Sequence, residues 1–332
     1  MRFYEILVLL LINLIFIFFN KKINNLVNVK SFPDNNKRLH KNPTPATGWI
    51  FFYFNFLAIF IYSFFYNVSD FLIILSVKEK IIYFSILTVA LIYGILDDKL
   101  DLNYFQKLII FIILFFLLFT VFPIFKLQFV KFYFYNYKLS LNQTSIIISI
   151  ILSLYFLNML NMFDGINNQL SFVLITFSGF LIYKLGFDII LIGFFLSSVS
   201  FALLNYKNKC FLGNAGLVFI SFFIITILGL RINNDAIKLD SLIILFFIPF
   251  IDTLRLFFQR ILNNKNPFKG DINHIHHILL KKYGQKKTNL LINGTIFISF
   301  LFYEIYNSFF FYLIVSLLII YILLVKKFIK NE

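Results

Sequence analysis

YGILDDKLDLNYFQKLIIFIILFFLLFTVFPIF, from Tyr93 to Phe125, decides the fold and also points to the chemistry. Residues 105–125 form an apolar run long enough for a helix to cross the roughly 30 Å hydrocarbon core of a bilayer. Two adjacent carboxylates, Asp97 and Asp98, stand at its border. Adjacent carboxylates at a membrane boundary repel one another, so a shared cation is the expected remedy. Mg²⁺ beside a phosphate-bearing substrate is the common partner of such hard oxygen ligands.

Outward from this stretch the same apolar run recurs. Spans are predicted near 3–19, 49–65, 81–96, 105–125, 145–162, 169–183, 186–204, 215–230, 241–258, 289–303 and 309–325. The predicted fold is therefore an all-α integral membrane protein of about eleven transmembrane helices, one polytopic domain over 1–332. The runs at 81–96 and 169–183 are short, and 289–303 contains Gly294 and Thr295. The first run is followed by Lys21 and Lys22 without a small-residue cleavage signal, which reads as a retained helix. Composition agrees: 60% of the residues are hydrophobic and 14% charged, which excludes an ordinary soluble domain. Phe, Ile, Leu, Asn and Lys share A+T-rich codons, so the aromatics are not read as a cofactor box or a nucleic-acid platform. The single cysteine, Cys210, excludes an intramolecular disulfide.

Lys and Arg placement sets the orientation. With the N-terminus outside and the C-terminus inside, 21 of the 30 basic residues fall in inside segments. All four histidines, Asp97, Asp98, Asp164 and Asp271 fall there too. One face is chemically loaded and the other is plain.

Five polar clusters lie on the loaded face. RLHKNPTPATG, 38–48, presents Arg38, His40 and Lys41 on a segment that Pro43 and Pro45 hold extended; a basic loop touching lipid headgroups is the plainer reading. The Asp97–Asp98 pair is the second. In NMLNMFDGINNQ, 158–169, Asn158, Asn161 and Asp164 follow at helical spacing on one face, costly in a membrane without partners, water or an ion. Gly165 is expected to end that helix. FLGNAG, 211–216, sets two glycines about Asn214 at the start of a span, as close backbone approach to a ligand requires. The fifth cluster, 249–284, places Asp252 within an apolar span and Arg255 one turn later, a predicted ion pair. It continues through Arg260 to Asp271, His274, His276 and His277 in a D-x-x-H-x-H-H pattern. Three histidines in four residues suggest zinc, but the thiolates or further carboxylates of a closed zinc site are missing from the pattern. Phosphate and nucleotide contacts suit the loop better.

At these residues the chain resembles the polyprenyl-phosphate N-acetylhexosamine-1-phosphate transferases, with the five segments in order across roughly 38–284. The D-x-x-H-x-H-H form is similar to the branch that initiates O-antigen and related polymers. The resemblance implies UDP-N-acetylhexosamine and undecaprenyl phosphate as substrates, Mg²⁺ (Mn²⁺ as an alternative) as cofactor, and the lipid bilayer as environment. A homodimer is compatible with it, and nucleic acid is not a partner. It further implies a multi-pass protein of the bacterial inner (plasma) membrane with a cytoplasmic active site. Asp97, Asp98 and Asp164 match catalytic carboxylates. One of the first two would bind metal or the lipid phosphate, or assist its deprotonation. Asn161 and Asn214 match metal positions. Arg38, His40, Asn158, Asn167, Asp252, Arg255, Arg260, Asp271, His274, His276 and His277 match substrate-binding positions.

The chain departs from that pattern at Trp49, Asn167, Asn214 and Leu217. At Asn214 the family carries a metal-binding aspartate, and an amide coordinates without supplying charge. An inactive homologue that binds lipid phosphate or nucleotide sugar is the alternative this motivates. A secondary transporter is a third reading, but it calls for polar groups at the midplane and paired halves.

Overall fold

The computed structural model describes residues 3–31, 43–66, 69–100, 102–134, 137–266 and 273–329. Arg38, His40 and Asp271 lie outside the described residues. The chain runs through α1 (Phe3–Phe18), α2 (Asn20–Val27), β1 (Lys30–Ser31), β2 (Thr44–Pro45), α3 (Trp49–Tyr62), α4 (Asp70–Ile73), α5 (Val77–Leu100) and α6 (Tyr104–Val121). It continues through β3 (Phe129–Phe132), β4 (Tyr137–Ser140), α7 (Ser145–Phe163), α8 (Gln169–Leu185), α9 (Ile189–Tyr206) and α10 (Gly213–Asn233). The last four helices are α11 (Leu239–Leu245), α12 (Phe247–Leu262), α13 (Ile275–Ile305) and α14 (Phe310–Ile329). The strands form two small antiparallel hairpins, β1 with β2 and β3 with β4.

Every predicted apolar run coincides with helix, but the number of clear spans is smaller. Among the described residues seven helices are long and apolar enough to cross a membrane, and up to nine if each bent pair counts as one span. The bent pairs are α1 with α2, at 74°, and α11 with α12, at 69°. The helices α3 and α8 are apolar but short. Helix α13 begins well before the predicted run at 289–303, because helix extends on both sides of Gly284 through the polar stretch Lys281–Lys287, where hydrophobicity fades. A kink at Gly284 (φ 71°, ψ 169°) marks the change from polar to apolar helix.

Helix α10 is apolar all round, as expected of a helix with neighbours on every side; 83% of its most apolar stretch is buried, against 17% for the peripheral α14. Its packing depends on small residues. A Cβ added at Gly94 of α5 would sit 2.5 Å from the Ala215 Cα of α10, so only glycine allows the two backbones to approach this closely. Polar side chains inside the bundle pair across helices. Asn55 donates to Ser197 Oγ at 2.7 Å, and Tyr83 shares a 2.7 Å bond with Thr226. The loops α5–α6, α7–α8 and α9–α10 and the start of α13 meet at one end of the bundle, where the predicted site residues collect.

Candidate functional site at one end of the bundle

The contact between α5 and α10 aims Asp98. Gly213 opens α10 with φ +73°, a conformation glycine adopts without steric cost, and a Cβ there would come 2.6 Å from Asp98 Oδ2. The Asp98 carboxylate accepts from the backbone N–H groups of Asn214 (2.9 Å) and Ala215 (3.1 Å), which a helix N-terminus leaves free. The close approach read from the glycines of 211–216 is thus to Asp98, and Gly216 gives the same room to Leu212 and the Trp49 backbone.

The adjacent carboxylates face different ways. Successive helical residues point about 100° apart, and Asp97, 5% exposed, turns away from Asp98 to Lys107 at 2.8 Å. It also accepts from Leu102 N–H, so it fastens α5 to α6.

A cavity of about 730 Å³ opens beside Asp98. Its walls bring together Asp98, Asn161, Asp164, Asn167 and Asn214, with Lys30 and Lys207 contributing cationic groups. Asn158 is not among the lining residues; it bonds to the Leu154 carbonyl at 3.1 Å and to Tyr104. Burial pushes the Asp164 carboxyl up to about 7. Asn167 and Asn168 are pinned by neighbours. Asn167 donates to Asn208, Asn289 donates to the Asn167 carbonyl at 2.7 Å, and Asn205 accepts from Asn168 N–H at 2.6 Å.

Behind the cavity lies the histidine cluster. His274, His276 and His277 are 4%, 0% and 3% exposed. The predicted Asp252–Arg255 ion pair is present at 2.9 Å, and Asp252 Oδ2 meets His274 Nδ1 at 2.8 Å. Arg260 is buried in the last turn of α12. His276 joins the cluster to the cavity. Its ring stacks on His274 with centroids 5.3 Å apart, and it occupies the space a Cβ at Gly165 would need. Gly165 does not take the left-handed conformation expected of a helix stop, since α7 ends at Phe163 with Asp164 as its cap. It is needed for the room it leaves to His276.

Two sets of residues have ion-binding chemistry. The cavity offers oxygen donors, Asp98, Asp164, Asn161 and Asn214, the type a hard divalent cation selects. A half-buried carboxyl whose pKa is raised to about 7, with no ion pair among the described residues, fits a place for positive charge. In the second set, Asp252, His274 and His276 bring ligating atoms within 4.8 Å of one another. Asp252 supplies the carboxylate that the local D-x-x-H-x-H-H pattern lacked, since it comes from the preceding span. Its oxygens are already engaged by Arg255, His274 and Tyr321.

Several cavity residues escaped the sequence reading. Asn205 lies in the last turn of α9, and Lys207 and Asn208 sit in the loop before FLGNAG and resemble any polar loop. Lys30 and Gln285 also line the walls. Tyr321, one aromatic in an apolar run, gave no signal at all.

The profile of glycosyl transferase family 4 matches residues 80–231. The chain is 23% identical over 290 residues to the undecaprenyl-phosphate alpha-N-acetylglucosaminyl 1-phosphate transferase of Escherichia coli (strain K12), covering 83% of this chain and 76% of that protein. It is 29% identical over 142 residues to the protein of the same name from Thermotoga maritima, covering 42% and 45%. The Haemophilus influenzae protein of that name is 34% identical over 77 residues, and the matched part spans 22% of its length.

Proposed function

We propose that this chain is a glycosyl transferase of family 4 that transfers an N-acetylhexosamine 1-phosphate from its UDP-sugar to undecaprenyl phosphate. An oxygen of the lipid phosphate attacks the β-phosphorus of the nucleotide sugar. The bond from that phosphorus to the bridging oxygen breaks, and UMP leaves. The product, a lipid diphosphosugar, is the starter unit of a cell-surface polysaccharide. The reaction takes place at the cytoplasmic face of the bacterial inner membrane, where a lipid headgroup and a cytosolic nucleotide meet.

The observation that carries this reading is the cavity. It gathers Asp98, Asn161 and Asn214 from the ends of α5, α7 and α10, and Asp164 and Asn167 from the α7–α8 connection, and adds Lys30 and Lys207 on its walls. Phosphoryl transfer depends on positioning and charge neutralisation more than on covalent help. Asp98 is held by the α10 N-terminus and keeps its place without cost at the moment of reaction. Asp164, with its carboxyl near 7, is suited to take the residual proton of the lipid phosphate at neutral pH. Lys30 and Lys207 balance phosphate charge. Asn161 and Asn214, with Asp98 beside them, would hold Mg²⁺, with Mn²⁺ as a substitute. The bound ion would supply charge stabilisation to the transferring phosphoryl oxygens.

Asn214 favours a second reading, binding of the same substrates without transfer, because an amide stands where the resemblance calls for a metal-binding carboxylate. Membranes carrying the chain, given radiolabelled UDP-N-acetylhexosamines, undecaprenyl phosphate and Mg²⁺, separate the two. Label entering the lipid fraction with UMP released, and lost in Asp98→Asn, is the expected result. A higher rate or lower Mg²⁺ requirement in Asn214→Asp would show that the amide limits metal binding. A folded protein that binds lipid phosphate but transfers nothing from any donor leaves only the second reading.

A further inference from the structure

The Asp252 carboxylate has a partner outside every motif. Tyr321 lies on α14, far from the predicted site segments in sequence, and is 4% exposed. Its hydroxyl donates to Asp252 Oδ1 at 2.7 Å and accepts from Arg255 Nε at 2.6 Å. Arg255 Nη2 donates to the same Oδ1 at 2.9 Å and to the Asn273 carbonyl at 2.7 Å. Asp252 Oδ2 meets His274 Nδ1 at 2.8 Å, and the Ile275 backbone N–H lies 3.3 Å from both oxygens. One carboxylate therefore fastens α12, the start of α13 and α14 together.

The nearness of Asp252, His274 and His276 invites a metal reading. The hydrogen bonding argues for another role. Both Asp252 oxygens accept from protein donors, and the Arg255 guanidinium already neutralises the charge an ion would need. A carboxylate engaged on both oxygens has little freedom to rotate, and the planar guanidinium fork fixes it further. An ionised carboxylate only accepts, so His274 Nδ1 carries the proton and the ring plane is set. His274 stacks on His276 at 8° between planes, and His276 fills the space above Gly165, beside the cavity carboxyl of Asp164.

We propose that Tyr321 is a positioning residue for the transfer site: its hydroxyl locks Asp252 and Arg255, and through them His274 and His276, against the cavity wall. The role rests on the transfer reading above for its effect on turnover, and on geometry alone for its effect on His274. Removing the hydroxyl leaves Arg255 Nε without its acceptor and lets the carboxylate turn. Loss of a partner that orients a working side chain typically costs about 10- to 100-fold in activity.

The test uses the full chain in detergent, with wild type, Tyr321→Phe, Asp252→Asn and the double variant. Tyr321→Phe is expected to lower kcat per folded molecule about tenfold with KM for the UDP-sugar little changed, while the unmet Arg255 donor lowers the melting temperature by a few degrees. In the Asp252→Asn background the same change is expected to cost no more than about twofold, because its route is already cut. An unaltered kcat, or an equal tenfold loss in both backgrounds, overturns the proposal. A second readout needs no turnover: in ¹⁵N-histidine spectra of the ligand-free protein, the His274 Nδ1–H resonance moves in Tyr321→Phe. If it stays put, the proposal fails. Should it move while wild type transfers nothing, the positioning stands and the transfer reading falls.

Discussion

The two ends of the helix bundle are both rich in charge, and they use it differently. At the end opposite the cavity the acids are consumed by the protein. Asp240 accepts from the backbone N–H groups of Tyr133 (3.0 Å) and Phe134 (3.2 Å), and Glu304 pairs with Lys184 at 2.6 Å and with Ser241 at 2.6 Å. Asp188 caps α9 while accepting from Ser69 (3.0 Å) and the Asp70 N–H (2.9 Å). At the cavity end, Asp164, Asn161 and Asn214 face about 730 Å³ of open space. Ionisable groups at the edge of a bilayer are costly at either end. An acid whose partners all come from its own chain fastens the fold, whereas one that faces a cavity is available to a ligand. Asp97 and Asp98 draw the same contrast within a single turn of α5, one tied to Lys107 and the other braced at the cavity wall.

The largest effect that would sharpen this contrast is expected from Asp98→Asn. Asparagine keeps an acceptor for only one of the two α10 N–H groups, turns its own amide N–H toward the other and loses the charge, so transfer should fall about 10³-fold. Near-normal label transfer would move Asp98 into the same class as Asp97. Next comes Gly165→Ala. The new methyl competes with the His276 ring for one place, and a shift of about an ångström at a transfer site costs on the order of 100-fold. Full activity in that variant would mean that the histidine cluster and the cavity work independently.

Asp164 sets a pH signature that the opposite end lacks. Burial raises its carboxyl from 3.8 to about 7. If its ionised form accepts the proton, kcat/KM climbs about tenfold per pH unit on the acid side and levels off above about pH 7. Stability runs the other way. Between pH 3.8 and about 7 the folded chain keeps a proton that the unfolded chain has released, so this group's contribution to stability is lost as pH rises through the window. Asp164→Asn should remove both trends, and added Mg²⁺ should move the rate inflection to lower pH. A rate profile flat from pH 5 to 8 would take Asp164 out of proton transfer.

How much of this was legible in the sequence depended on the range of each interaction. Membrane helices announce themselves through local hydropathy, and the Asp252–Arg255 pair follows from spacing along one helix. The split between Asp97 and Asp98 was hidden, because Lys107 reaches Asp97 only once α6 folds back onto α5. Gly165 read as a helix stop because its neighbour His276 is remote in the chain. The count of about eleven spans is not confirmed by helix length: among the described residues α3 and α8 have the composition of spans but are short. Tyr321 had no local mark, since a tyrosine among 50 phenylalanines of an A+T-rich sequence looks like background.

The smallest change in activity should come from the opposite end, which makes it the control for the whole comparison. Asp240 is 0% exposed and holds the β3–β4 hairpin onto the bundle through the N–H groups of Tyr133 and Phe134. Asp240→Ala strips both donors of their acceptor and unties the hairpin; with Tyr133 half-buried and Phe134 exposed, water meets part of the loss, which comes to about 1 kcal/mol. The melting temperature in detergent should therefore fall by a few degrees. Transfer per folded molecule should stay within about twofold of wild type, since sites this far apart and without shared partners behave additively. A collapse of turnover with the fold intact would show that the hairpin end communicates with the cavity through the length of the helices. The acids at the two ends would then belong to one coupled system, and partner identity alone would no longer separate fastening groups from working ones.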